Sequence, residues 1–144
     1  TGNFDKHDIL TNPVLTSWFN YLDDFNARKP SQGMTRTEAL SRGLYDRGLA
    51  EVLEAGMKGR EKTKVIATKL EKQLFAEWEA KKYTPDRIFQ AVGLKNIYGD
   101  ATGPILSDPV LKFWVRYMNE FNAKHLDKRT TIFETLCKTT VIRP

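Results

Sequence analysis

The sequence holds a single cysteine, Cys137, and two histidines, His7 and His125. A lone cysteine excludes an internal disulfide framework and a four-cysteine metal site. The histidines have no ligand-spaced neighbours, so neither a metal site nor a cofactor site is expected. No apolar run approaches the roughly 20 residues that a membrane-spanning helix needs. No segment alternates apolar and polar residues for long enough to make a strand, which leaves an all-α fold. The surplus of positive charge is small, +5 from 23 Lys+Arg against 18 Asp+Glu; it permits an acidic partner without demanding one. No signal peptide is visible and the chain starts at Thr1, so it is expected to be an excised or processed piece of something longer. The remainder is ordinary globular composition, 40% hydrophobic and 28% charged over 144 residues. A chain of that size can bury roughly two-thirds of its unfolded surface without a metal or disulfide.

The most informative feature is internal. A shift of 96 residues lays Ile9-Leu10-Thr11-Asn12-Pro13-Val14-Leu15 on Ile105-Leu106-Ser107-Asp108-Pro109-Val110-Leu111. Trp18 then falls on Trp114, Tyr21 on Tyr117 and Phe25-Asn26-Ala27 on Phe121-Asn122-Ala123, ten identities in the nineteen positions from 9 to 27. Farther on, Thr35, Glu38 and Leu40 fall on Thr131, Glu134 and Leu136. The chain therefore carries about one and a half repeat units. The period is too long for one helical hairpin per unit, since TPR and ankyrin units run near 33–34 residues. Each unit is expected to be a small helical bundle, strung in tandem.

Local signals place the helices. Asn12-Pro13 and Asp108-Pro109 are starts, because Asn or Asp caps free backbone N–H groups and Pro fits the first helical position. The first helix runs to about Lys29 on a stripe of Val14, Leu15, Trp18, Tyr21, Leu22 and Phe25. Thr35-Arg36-Thr37-Glu38 is a capping box, opening a helix to about Arg42. A further stripe holds Leu49, Val52, Leu53 and Met57. A long helix over about 60–82 carries Ile66, Leu70, Leu74 and Trp78 at every fourth position. Thr84-Pro85-Asp86 opens a short helix that Gly93 ends, and 95–104 is a loop.

These residues resemble the WY and LWY modules of the RxLR effectors of oomycete plant pathogens. Leu40, Leu44, Leu49, Leu53 and Leu70 match the L segment, and Phe75-Ala76-Glu77-Trp78 with Tyr83-Thr84-Pro85-Asp86-Arg87-Ile88-Phe89 match the W segment. Asp108-Pro109 through Trp114, Tyr117, Phe121 and Asn122 match the Y segment. The resemblance divides the chain into 1–31, the Y helix of a preceding unit; 32–125, a complete L-W-Y unit; and 126–144, the start of the next L segment. The Arg-x-Leu-Arg motif and the secretion signal, which lie N-terminal to such modules in the family, are not in this sequence. The resemblance implies a protein secreted by the pathogen that acts in the host cell cytoplasm or nucleus. There it would suppress immunity by binding host proteins, as an adaptor and not an enzyme. One LWY group docks on the scaffold subunit of protein phosphatase 2A, which makes that subunit a candidate partner.

Against this background the candidate sites sort into packing and contact. Trp78 and Tyr117 are expected to pack together inside one bundle with Trp114 and Phe89. Trp18 and Tyr21 are expected to do the same in the upstream unit, on a face more open here than in a full-length protein. Phe113 and Val115 flank Trp114 by about 100° on either side; they are either deeper core or contacts to the next unit. Lys58, Arg60, Lys62, Lys64, Lys69 and Lys72 crowd into residues 58–72 against Glu61 and Glu71. That helix is read as a solvated face, with Lys62, Lys69 and Lys72 as candidate contacts to an acidic host protein; the alternative is a nucleic-acid-binding module. Phe133-Glu134-Thr135-Leu136 has the form of an autophagy-receptor peptide, but it follows a capping box and reads as helix. The carboxylate pairs Asp23-Asp24 and Glu51/Glu54 lack a shared cleft, so no catalytic residue is expected.

Overall fold

In the computed structural model of the chain, residues 9–94, 104–132 and 134–135 are described. His7, Cys137, the 95–103 part of the expected loop, and Phe133 and Leu136 of the peptide-like motif lie outside them. The described residues form α1 (Pro13–Arg28), α2 (Arg36–Met57), α3 (Glu61–Ala80), α4 (Pro85–Ala91) and α5 (Pro109–Lys124), with short 3-10 turns before α1, after α1, before α5 and after α5, and no strand.

Local chemistry explains the helix ends. The Asn12 side chain accepts from the Val14 N–H at 2.9 Å, and Asp108 does the same for Val110 at 2.8 Å. Thr35 and Glu38 satisfy each other's backbone N–H groups in a complete capping box at the head of α2. α3 ends in a Schellman motif: the Tyr83 N–H reaches the Trp78 carbonyl and the Lys82 N–H the Glu79 carbonyl, both at 2.9 Å. Lys82 takes the left-handed conformation there, φ 59, where glycine is usual. Gly93 takes φ 78 after α4. α2 runs on to Met57 but breaks at Tyr45, whose φ 61 and ψ 170 are non-helical.

The chain packs as two compact units, Thr1–Leu74 and Phe75–Pro144, divided within α3. In the first unit the buried residues include Leu10, Phe19, Leu22, Leu49, Val52, Leu53, Ala67 and Leu70. α2 approaches closely at Gly56, where an added Cβ would stand 2.7 Å from Leu10 Cδ1 and 2.8 Å from Ala67 Cβ. In the second unit the buried set centres on Phe89, Phe113, Trp114 and Tyr117, with Ile88, Val92 and Val110 around them.

The repeat is geometric as well as sequential. α1 and α5 begin and end at equivalent residues under the 96-residue shift, and Lys29 and His125, their C-caps, have φ/ψ of −134/69 and −128/72. Each cap N–H reaches the carbonyl of the repeat's phenylalanine, Phe25 or Phe121, at 2.8 Å. A clamp then recurs. Asn26 donates to the Met34 carbonyl at 2.7 Å and accepts from the Met34 N–H at 3.0 Å. Asn122 donates to the Thr130 carbonyl at 2.6 Å and accepts from the Thr130 N–H at 2.9 Å. A side-chain amide offers one donor and one acceptor in the geometry of a backbone peptide. It therefore folds the chain back after the helix and delivers it to the next Thr cap.

Candidate functional site

The second unit shows what the tryptophan face is built to meet. Trp78 stands edge-on to Tyr117, ring centroids 5.4 Å apart at 89°, and edge-on to Phe113 at 5.9 Å. Phe75 closes the cluster against Phe113 at 5.3 Å and Tyr117 at 5.2 Å. Phe89 of α4 lies 5.1 Å from Trp114 at 74°. Edge-to-face contacts match the positive ring edge to the negative face. The polar atoms of α5 are used as well. Trp114 Nε1 donates to the Pro85 carbonyl at 2.7 Å, and the Tyr117 hydroxyl donates to the Tyr83 carbonyl at 2.5 Å. Both carbonyls belong to the passage from α3 to α4, so two ring heteroatoms pin that turn onto α5. Burial, reinforced by the charges of Glu79 and Glu120, pushes the Tyr117 phenol well above its ordinary range.

Of the two alternatives for Phe113, the deeper core position is the one seen: it is fully buried against Phe75 and Trp78. Val115, on the other flank of Trp114, is half-buried and keeps an accessible edge.

The first copy of the same helix faces differently. Trp18 is 38% exposed and Tyr21 62%, whereas Trp114 is 0% and Tyr117 2%. Trp18 and Tyr21 are thus open in this chain, on the face expected to be more exposed here than in a full-length protein. The buried face of α1 is Phe19 and Leu22, turned toward the rest of the first unit. Val14 and Trp18, with Ile9, Leu15, Leu40 and Leu44, border an entirely apolar groove of about 270 Å³.

The remaining candidates are dispersed. Lys62, Lys69 and Lys72 are exposed along α3. Glu51 pairs with Arg47 at 3.0 Å, Asp23 pairs with Arg36 at 2.7 Å, and Glu54 is buried. His125 stacks on Phe121 at 4.3 Å, with Nε2 3.8 Å from Glu79, a packing position. Among the described residues no group of three or more His, Cys, Asp or Glu is placed to hold a metal ion. None of their helices is long and apolar enough to cross a membrane. Sequence reasoning gave no weight to Tyr45, whose left-handed backbone has no sequence signal because glycine is the residue that marks it.

No family model matches the chain. Among curated proteins it is similar to the RxLR effector protein PSR2 of Phytophthora infestans, 33% identical over 89% of this chain and 16% of that protein. It is similar to PSR2 of Phytophthora sojae at 32% identity, over 90% of this chain and 18% of that protein. The chain thus spans less than a fifth of the length of these relatives. Among solved structures, the crystal structure of PcRxLR12 matches with a TM-score of 0.66 and 30% identity, over 92% of this chain and 31% of that one.

Proposed function

The chain belongs to the RxLR effectors of oomycetes, and from that premise we propose that it is of the WY/LWY-repeat type and forms part of a non-enzymatic virulence adaptor. In this reading the full-length protein is secreted by the pathogen, works in the cytoplasm or nucleus of the host plant cell, and suppresses immunity by binding a host protein. Residues 1–31 supply the Y helix of one repeat unit, 32–125 a complete unit, and 126–144 the opening of the next. Val115 contributes to the contact between units, and Lys62, Lys69 and Lys72 to the contact with the partner. Recruitment of a host enzyme is the proposed mode of action, with the scaffold subunit of protein phosphatase 2A as the named candidate.

The observation that carries this reading is the helix built twice to one geometry, with caps, clamp and aromatic positions all repeated. Its side chains are spent on packing one helix against another. Such modules hold exposed surfaces at set places along an array. Affinity purification of the full-length effector from plant tissue, read by mass spectrometry, tests the proposal. A plant protein enriched over a scrambled-surface control is the expected result, and no enrichment overturns it. Enrichment lacking the phosphatase scaffold subunit removes that candidate alone. Affinity for DNA or RNA falling steeply with salt would favour the nucleic-acid alternative.

A further inference from the structure

Beside the open tryptophan groove, with which it shares Leu15, α1 and the first half of α3 border a second groove of about 250 Å³. Its floor is Phe19 and Leu70, both buried, and its walls are Leu15 and Ile66, both half-buried. Arg36 and Lys69 stand at its rim, and none of the lining residues is a carboxylate. The Arg36 guanidinium lies 4.7 Å over the Phe19 ring, held there by Asp23. On α3, Lys62 and Lys69 fall about 40° and 60° to one side of Ile66 (at about 100° per residue). They extend the cationic edge by two turns, while Lys72 sits about 120° away. Neither Lys62 nor Lys69 has an ion-pair partner among the described residues.

Two facts set this groove apart from the packing between repeats. Phe19, Thr16 and Asn20 lie about 100–200° around α1 from Trp18, so a segment laid over Trp18 leaves them open. In the second unit, where Trp114 is covered, the equivalents of Thr16 and Asn20 are the cations Lys112 and Arg116, and both retain exposure.

We propose that this groove is a docking surface for an acidic segment of a host protein. The segment seats one bulky apolar side chain between Leu15 and Ile66 and sets carboxylates against Lys62 and Lys69, since Arg36 is already paired with Asp23. An apolar pocket excludes water around its anchor, and the cationic rim selects a partner of opposite charge and speeds its encounter. The chemistry favours a polypeptide over nucleic acid. The floor is aliphatic apart from Phe19, and Arg36 already covers that ring, leaving no platform on which bases stack. The inference rests on the adaptor reading and names the chemistry of its partner.

The test places the photo-crosslinking residue p-benzoylphenylalanine at Ile66 of the full-length effector in plant tissue, and at Tyr21 for comparison. The cross-linked peptides are then sequenced. The expected product at Ile66 is a host peptide rich in Asp and Glu around an apolar residue. Its yield should fall roughly tenfold in Lys62→Glu/Lys69→Glu and stay level in Lys62→Arg/Lys69→Arg. Both lysines are exposed, and unchanged Tm and tryptophan emission confirm that the variants fold. A cross-linked peptide of neutral or basic composition overturns the inference, as does a cross-link to nucleic acid or a yield insensitive to charge reversal. A host peptide cross-linked at Tyr21 alone, or silence at Ile66 while a plant protein is enriched, overturns this groove and leaves the adaptor reading intact. Silence at both positions, together with no enriched plant protein, defeats the adaptor reading itself.

Discussion

Tyr45 holds φ 61 and ψ 170 with its side chain 77% exposed, a backbone region almost confined to glycine that costs on the order of 1–3 kcal/mol in other residues. Nothing in its burial offsets that cost. Tyr45→Gly is therefore expected to raise stability by about 1 kcal/mol, after the extra freedom glycine gives the unfolded chain. A urea midpoint that falls instead would show that the ring is held by a contact. Tyr117 presents the opposite case, a buried phenol whose proton sits on the Tyr83 carbonyl. Tyr117→Phe leaves that acceptor unmet and should cost about 1–3 kcal/mol, read from the same titration. The pH dependence has a definite sign. The folded-state pKa is raised, so the contribution is fully present below the unfolded tyrosine pKa of about 10 and is lost as pH climbs above it. Tyr117→Phe should flatten that alkaline decline; an unchanged slope would assign it to other groups. The pairing of Trp78 with Tyr117 was expected from the resemblance to the W and Y segments and from the area two large aromatics bury, not from the repeat, which does not contain Trp78. The strain at Tyr45 was not expected, because propensity describes side chains and the break is imposed on the backbone from outside.

At the level of elements, the ends of the helices were the most readable part of the chain. Asn12-Pro13, Thr35 with Glu38, Thr84-Pro85 and Asp108-Pro109 all cap helices where local chemistry placed them. Capping involves residues two or three apart, and such contacts survive in any tertiary setting. The faces were less readable. The stripe from Val14 through Phe25 is apolar over more than one side of α1, and only the neighbours determine that Phe19 and Leu22 are buried while Trp18 and Tyr21 are not. Phe113 shows the same limit, because the wheel placed it beside the stripe and Phe75 and Trp78 drew it into the core. Close approach at Gly56 is another property of the assembled unit. Gly56→Ala is expected to destabilise by about 1–3 kcal/mol through overpacking against Leu10 and Ala67. The helix preference of alanine works the other way by about 1 kcal/mol. A thermal midpoint that rises would mean Leu10 moves aside freely.

Over the whole molecule, the two copies differ in what covers them. Leu10 is 3% exposed and its equivalent Leu106 is 63%, while Trp18 is open and Trp114 closed. Each copy thus has one face packed and the other bare, and the packed faces are complementary. In the proposed array, the residues before Thr1 in the longer protein would bring a W segment onto Trp18. Extending the chain by about 40 natural residues at its N-terminus, with Trp78 and its counterpart in the added W segment both replaced by Phe, should shift tryptophan emission to the blue and cut acrylamide quenching. Emission that stays red and quenchable would show that no such cover exists. The amino-acid order alone determined the helical class, the caps and the repeat, since these depend on periodicity and on groups a few residues apart. The three-dimensional packing decided which of two equivalent tryptophans is sealed, which flank of α5 is core, and that Arg36 and Lys69 border one groove with Phe19. Those outcomes depend on which surfaces meet, and residues far apart in the chain supply them.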